Sequence, residues 1–160
     1  MTQKNFFEFD FNSLKIFLTK DLAVEEKKAS MRRNQIWQSI YKKGSLEIKN
    51  LTILPLDLRN KLNSLISLQM PKIINTQTSN DGTIKWLIKL LDGNEVECVY
   101  IPEKTRATLC ISSQVGCTLN CRFCHTGTQR LVKNLSFTEI VNQVMIAKEQ
   151  LNDWNEQKKI

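Results

Sequence analysis

The chain has 160 residues and a formal charge of +7, from 23 Lys and Arg against 16 Asp and Glu. That length allows one good core or two small subdomains, and 41% hydrophobic with 24% charged residues excludes a disordered chain. No stretch reaches the roughly 20 apolar residues of a membrane helix, and the opening MTQKNFFEFD lacks the positive-then-apolar order of a secretory leader, so a cytoplasmic protein with no membrane partner is expected.

Residues 1–70 read as helices. Ser13 is expected to cap a first helix whose apolar side is Leu14, Phe17 and Leu18, the i, i+3, i+4 pattern of one face. A second should bury Ile36, Trp37, Ile40 and Tyr41 and stop at Gly44. A third begins at Pro55, which suits a first helical turn, with Leu58, Leu62, Leu65 and Ile66 inward. Lys27, Lys28, Arg32, Arg33, Lys42 and Lys43 surround them, either as a solvated face or as contacts for RNA phosphates. An excess of cations favours polyanionic partners, although an Asn-, Lys- and Ile-rich composition alone raises the charge.

After Pro71 the period changes from helical to alternating. Residues 73–78 form a plausible strand, and Asn80-Asp81-Gly82 is a hairpin signal. Ile84, Trp86, Ile88 and Leu90 share one face of the next strand. Asp92-Gly93-Asn94 turns the chain into a strand over 95–101, which Pro102 ends. A further strand is expected over 107–113, then a Gly- and Cys-containing loop to about Asn134. Ser136-Phe137-Thr138-Glu139 is a capping box opening a helix with Ile140, Val141, Val144, Ala147, Lys148 and Leu151 on its apolar side. Strand, loop and helix make one βα unit, the building block of a parallel sheet or barrel.

The loop holds Cys117, Cys121 and Cys124 at C-x3-C-x2-C spacing. In a reducing compartment such clustering points to metal chemistry rather than disulfides. Three thiolates on one curling loop can hold three corners of a cubane iron–sulfur cluster, leaving the fourth iron open, as a catalytic metal site requires. Cys121-Arg-Phe-Cys124-His125 also matches a covalent haem motif, but that leaves Cys117 unused and normally needs export. A zinc site with His125 is a second alternative, and a thioredoxin-like pair a third.

C-x3-C-x2-C is the signature of the radical S-adenosylmethionine superfamily. The wider stretches Glu97-Cys-Val-Tyr-Ile-Pro-Glu and Arg106-Ala-Thr-Leu-Cys-Ile-Ser-Ser-Gln-Val-Gly-Cys closely resemble the RlmN-type ribosomal and transfer RNA methyltransferases. So do Asn134-Leu, Ser79-Asn-Asp-Gly-Thr-Ile-Lys and Arg33-Asn-Gln-Ile-Trp. The resemblance implies methylation of adenosine C2 in 23S rRNA and tRNA, with a [4Fe–4S] cluster, S-adenosylmethionine and an external electron donor. It implies that Cys117, Cys121 and Cys124 are the cluster and cofactor ligands, Glu97 the proton acceptor and Cys110 the disulfide-forming cysteine. In such enzymes a further cysteine near the C-terminus carries the methyl group and pairs with Cys110.

Some of this has independent support in the residues. Alternation puts Glu97 in a row with Val99 and Ile101, where a carboxylate is costly unless paired, exposed or kept for proton chemistry. Cys110 alternates with Thr108 and Ser112 on a polar face, and Cys98 reads as packing. His125 and Arg130 are candidates for shaping the loop.

The expected fold class is α/β, or α+β at this length. Residues 1–70 form a helical RNA-docking subdomain, 71–105 a small linking sheet, and 106–160 the start of a radical SAM partial barrel. Six strand–helix units need on the order of 180 residues, far more than follow Arg106. The chain alone is therefore expected to be inactive, the whole enzyme monomeric. The alternative is a noncatalytic RNA-binding module with a remnant metal loop.

Overall fold

The computed structural model describes residues 3–118 and 128–154, which include four α-helices and several small sheets. They divide into two compact units, residues 1–69 and 70–160.

The first unit is helical. A short strand β1 (Lys4–Asn5) leads into a 3-10 turn and then α1 (Phe11–Lys20), α2 (Glu26–Tyr41) and α3 (Leu56–Leu65). The helix cap differs from expectation: Asp10, not Ser13, caps α1. Its Oδ1 accepts from the backbone N–H of Asn12 and Ser13, at 2.7 and 2.8 Å. A carboxylate also complements the helix dipole better than a hydroxyl, and those bonds lower the Asp10 pKa. The second helix ends at Tyr41 rather than Gly44, which follows in the left-handed region at φ +68°.

Leu14, Phe17 and Leu18 are buried as their spacing implies, with Ile36, Ile40, Leu58 and Leu62. Phe6 and Phe7 are also buried, and the rings of Phe6, Trp37 and Tyr41 pack within 4.6 to 6.1 Å of one another. Burial pushes the Tyr41 hydroxyl up to about 12. A parallel pair between β1 and β2 (Ile66–Ser67) joins the two ends of the unit, and no two-residue strand is readable from sequence.

The second unit is built on an antiparallel sheet ordered β3 (Lys72–Thr78), β4 (Ile84–Lys89), β5 (Glu95–Pro102) and β6 (Ala107–Cys110). Ile84, Trp86, Ile88 and Leu90 line one face, which packs against α4 (Phe137–Leu151) through Ile146, Ala147 and Leu151. The expected capping box is present: Ser136 Oγ accepts from the Glu139 N–H, and Glu139 Oε2 accepts from the Ser136 N–H at 2.8 Å. The buried arc of α4 is rotated from the expected one. Asn142, Gln143, Met145 and Ile146 are buried, whereas Val141, Val144 and Lys148 are half-exposed. The expected strand over 107–113 is split, because β6 ends at Cys110 and the chain re-pairs as β7 (Gln114–Val115) with β8 (Lys133–Asn134).

Lys133 ties three parts of this unit together. Its ammonium donates to Asp92 in the β4–β5 turn and, at 2.7 Å, to Glu139 on α4. The Lys133 bond, then the Asn94 N–H, pull the Asp92 carboxyl down to about 2, and the same carboxylates raise Lys133. A carboxyl lowered on folding stabilises fully above its ordinary value near 4 and loses that contribution as pH falls towards about 2. Asp92→Asn is therefore expected to lower the melting temperature at pH 7 and to match the parent chain near pH 2. Thermal unfolding at both pH values checks it.

Candidate active site

Antiparallel register decides which side chains meet. Val99 is the Cα partner of Cys110 and Leu87 that of Glu97, so Lys85, Glu97, Val99, Thr108 and Cys110 share the face opposite Trp86 and Cys98. This is the open face of the sheet. Glu97 is thus exposed rather than set in an apolar core, and its Oε1 lies 3.0 Å from Lys85 Nζ. That ion pair crosses from β4 to β5 and orients the carboxylate beside the Cys110 strand. At 48% side-chain exposure for Glu97 it adds little to stability.

Cys110 is exposed and Cys98 fully buried. Burial, then the neighbouring Cys110, pushes the Cys98 thiol up to about 12, which keeps it protonated and suits a packing role. Both carry free thiols. The disulfide implied for Cys110 is therefore not formed here, and Cys98 is no substitute, since the two side chains leave opposite faces of the sheet.

Beyond β6 the chain closes a loop. Val132 N–H donates to Val115 O at 2.8 Å, Cys117 N–H to Gln129 O at 3.2 Å, and Cys117 bridges Arg130. Gly116 makes this closure possible. It sits at φ +77°, and a Cβ there would lie 2.2 Å from the Arg130 carbonyl oxygen, so only glycine lets the two arms approach. Cys117 is half-buried at the closed base. Cys121, Cys124 and His125 lie outside the described residues, and among the described residues no three His, Cys, Asp or Glu side chains converge as a metal site. Arg130 is exposed at the base. Three thiols at C-x3-C-x2-C spacing, the first of them at this pinned base, suit an iron–sulfur cluster, for which soft thiolates are the usual ligands.

Sequence reasoning missed Gln143 and Lys133. Gln143 is fully buried and its amide reaches Ser112. The available signal was positional: Gln143 lies at i, i+4 spacing with Glu139 and Ala147, within the arc that faces the sheet. In the helical unit, Lys27, Lys28, Lys42 and Lys43 are exposed, Lys28 pairs with Glu25 at 2.8 Å, and Arg33 stacks 3.6 Å from the Phe11 ring centre. No described helix is long and apolar enough to cross a membrane.

No protein-family model matches the chain. It is 51% identical over 140 residues to the dual-specificity RNA methyltransferase RlmN of Bradyrhizobium sp. (strain ORS 278), covering 84% of this chain and 35% of that protein. The RlmN of Jannaschia sp. (strain CCS1) is 52% identical over 129 residues, covering 81% of this chain and 33% of the relative. The chain thus spans about a third of the length of the curated relatives it matches. Its structure resembles the crystal structure of a radical SAM methyltransferase from Sphaerobacter thermophilus, with a TM-score of 0.78 at 31% identity, over 93% of this chain and 42% of that one. A mixed fold of helices and small sheets, shared with that enzyme at this identity, accompanies about 50% identity to the curated relatives. The chain therefore belongs to the RlmN-type radical SAM methyltransferases, as their N-terminal portion.

Proposed function

We propose that this chain is part of an enzyme that methylates C2 of adenosine in 23S rRNA and tRNA. The relatives are named as dual-specificity RNA methyltransferases. The observation that carries the reading is the glycine-closed base at Cys117, which follows a strand pair whose open face bears Glu97 and Cys110. Residues 1–70 serve as the RNA-docking part, offering exposed lysines to phosphates, 71–105 as the sheet that carries Glu97, and 106–160 as the start of the radical SAM core.

Cys117, Cys121 and Cys124 would hold three irons of a [4Fe–4S] cluster, leaving the fourth for S-adenosylmethionine. Bound together, these groups supply one-electron chemistry, fed by an external donor, and the methyl carbon. The chain's own contribution is placement and proton handling. Glu97 accepts the adenosine C2 proton on its carboxylate, which Lys85 orients from 3.0 Å. Cys110, exposed on the adjoining strand, would lose its thiol proton and bond to the sulfur of the methyl-carrying cysteine. As that bond forms, the sulfur's bond to the transferred carbon breaks and frees the product, the surplus electron leaving through the same one-electron chemistry. Adjacent strands fix both groups on one face, as positioning for near-attack geometry requires. The whole enzyme acts as a cytoplasmic monomer.

Anaerobic reconstitution with iron and sulfide tests the reading. The chain should take up four irons per molecule with the Mössbauer spectrum of a [4Fe–4S] cluster, and Cys117→Ala should abolish uptake. Stoichiometric tetrahedral zinc binding through His125, with no cluster, would overturn it.

A further inference from the structure

The β5–β6 ladder stops at the Val99–Cys110 pair. Continued in register, it would place Ser112 opposite Glu97. The chain departs from that course. The Ser112 N–H donates to Gln143 Oε1 at 2.8 Å, and Gln143 Nε2 donates to the Ser112 carbonyl at 2.9 Å. A side-chain amide from α4 therefore takes both backbone bonds of Ser112 in place of a strand. Ser112 keeps one link to the old partner, its Oγ donating to the Glu97 carbonyl at 2.8 Å. Gln143 is wholly buried, and its Nε2 also donates to the Glu139 carbonyl at 3.2 Å. A buried primary amide is costly unless satisfied, so this one is held in a single orientation.

We propose that Gln143 is a positioning residue for the candidate active site: its amide draws Ser112 off the sheet, setting Cys110 and the entry to the Cys117 loop relative to Glu97. The inference rests on the roles assigned above to Cys110, Cys117 and Glu97. Ser112 lies between the two cysteines, and the next residue is also held, its carbonyl accepting from Leu135 N–H at 2.9 Å. Through Gln143, the placement of α4 is read out directly at the strand that carries the thiol. An apolar side chain of equal size would fill the same space without that geometry.

The test compares the 160-residue chain with Gln143→Glu, which keeps the shape and the acceptor but replaces the Nε2 donor. Three quantities are measured: thermal unfolding, iron bound after anaerobic reconstitution, and the rate of Cys110 alkylation by iodoacetamide at fixed pH, resolved by peptide mass spectrometry. The expected result, in a folded variant well below its melting temperature, is a several-fold change in the Cys110 rate and about tenfold weaker iron loading, the range for partners that orient ligands. A merely structural role would lower the melting temperature and leave the Cys110 rate unchanged, which overturns the proposal. Should Gln143→Glu fail to fold, Gln143→Met decides, because it fills similar space while removing both amide bonds to the Ser112 backbone. An unchanged Cys110 rate there also overturns it. A parent chain that binds no iron counts against the cluster reading, whereas the Cys110 comparison judges the positioning role separately.

Discussion

Gly116→Ala is expected to cost about 2 kcal/mol or more of stability and to remove most iron loading from the chain. Two effects combine at this position. The residue sits at φ +77°, where an L side chain is strained by about 1–2 kcal/mol. In addition, the new Cβ would fall 2.2 Å from the Arg130 carbonyl oxygen. That neighbour is backbone and cannot rotate away, so the arms of the loop must separate. Separation breaks the Cys117 N–H bond to Gln129 O and the Val132 bond to Val115, and with them the register that sets Cys117 against Arg130. Gly93→Ala supplies the control. It has φ +91° but nothing within 4 Å of its added Cβ, so it should cost about 1 kcal/mol and leave iron loading intact. Denaturant titration and iron analysis of both variants give the comparison. Equal loading in the two would mean that the loop base does not organise the cysteines.

Trp86→Ala should destabilise the second unit by about 3–5 kcal/mol, as for a large aromatic removed from a packed core. Trp86 is 2% exposed and stands between Thr76 of β3 and Cys98 of β5. It packs among Ile88, Leu90, Val96, Ile146 and Leu151. Loss of that much from a domain of ordinary stability, about 5–15 kcal/mol, leaves little reserve. The functional consequence follows from register, since Lys85 and Glu97 meet on the far side of the same strands. Urea unfolding monitored by circular dichroism should show a lower midpoint for this unit with an unchanged slope. Ile74→Ala, at an exposed position on the edge strand, should stay within about 0.5 kcal/mol of the parent.

Much of the molecule was legible because local chemistry sufficed. The Ser136–Glu139 capping box, the Asp81-Gly82 and Asp92-Gly93 turns, and the Trp86 face each depend on residues close in sequence. The three-cysteine spacing and the family resemblance were likewise carried by contiguous residues. By itself, then, the sequence determined the main helices and strands, the two hairpins and the family.

The tertiary structure decided which groups share a surface. Alternation placed Glu97 in an apolar row, but whether that row faces core or solvent depends on which side α4 covers, and α4 covers the other. The expected strand over 107–113 contains no local breaker; it divides at Cys110 because a buried amide 31 residues away outbids the ladder for Ser112. Gly116 reads as an ordinary loop glycine until the Arg130 carbonyl lies against it. In each case the deciding partner is distant in sequence, and only the packing that buries apolar surface brings it close enough for a hydrogen bond or a steric limit to act.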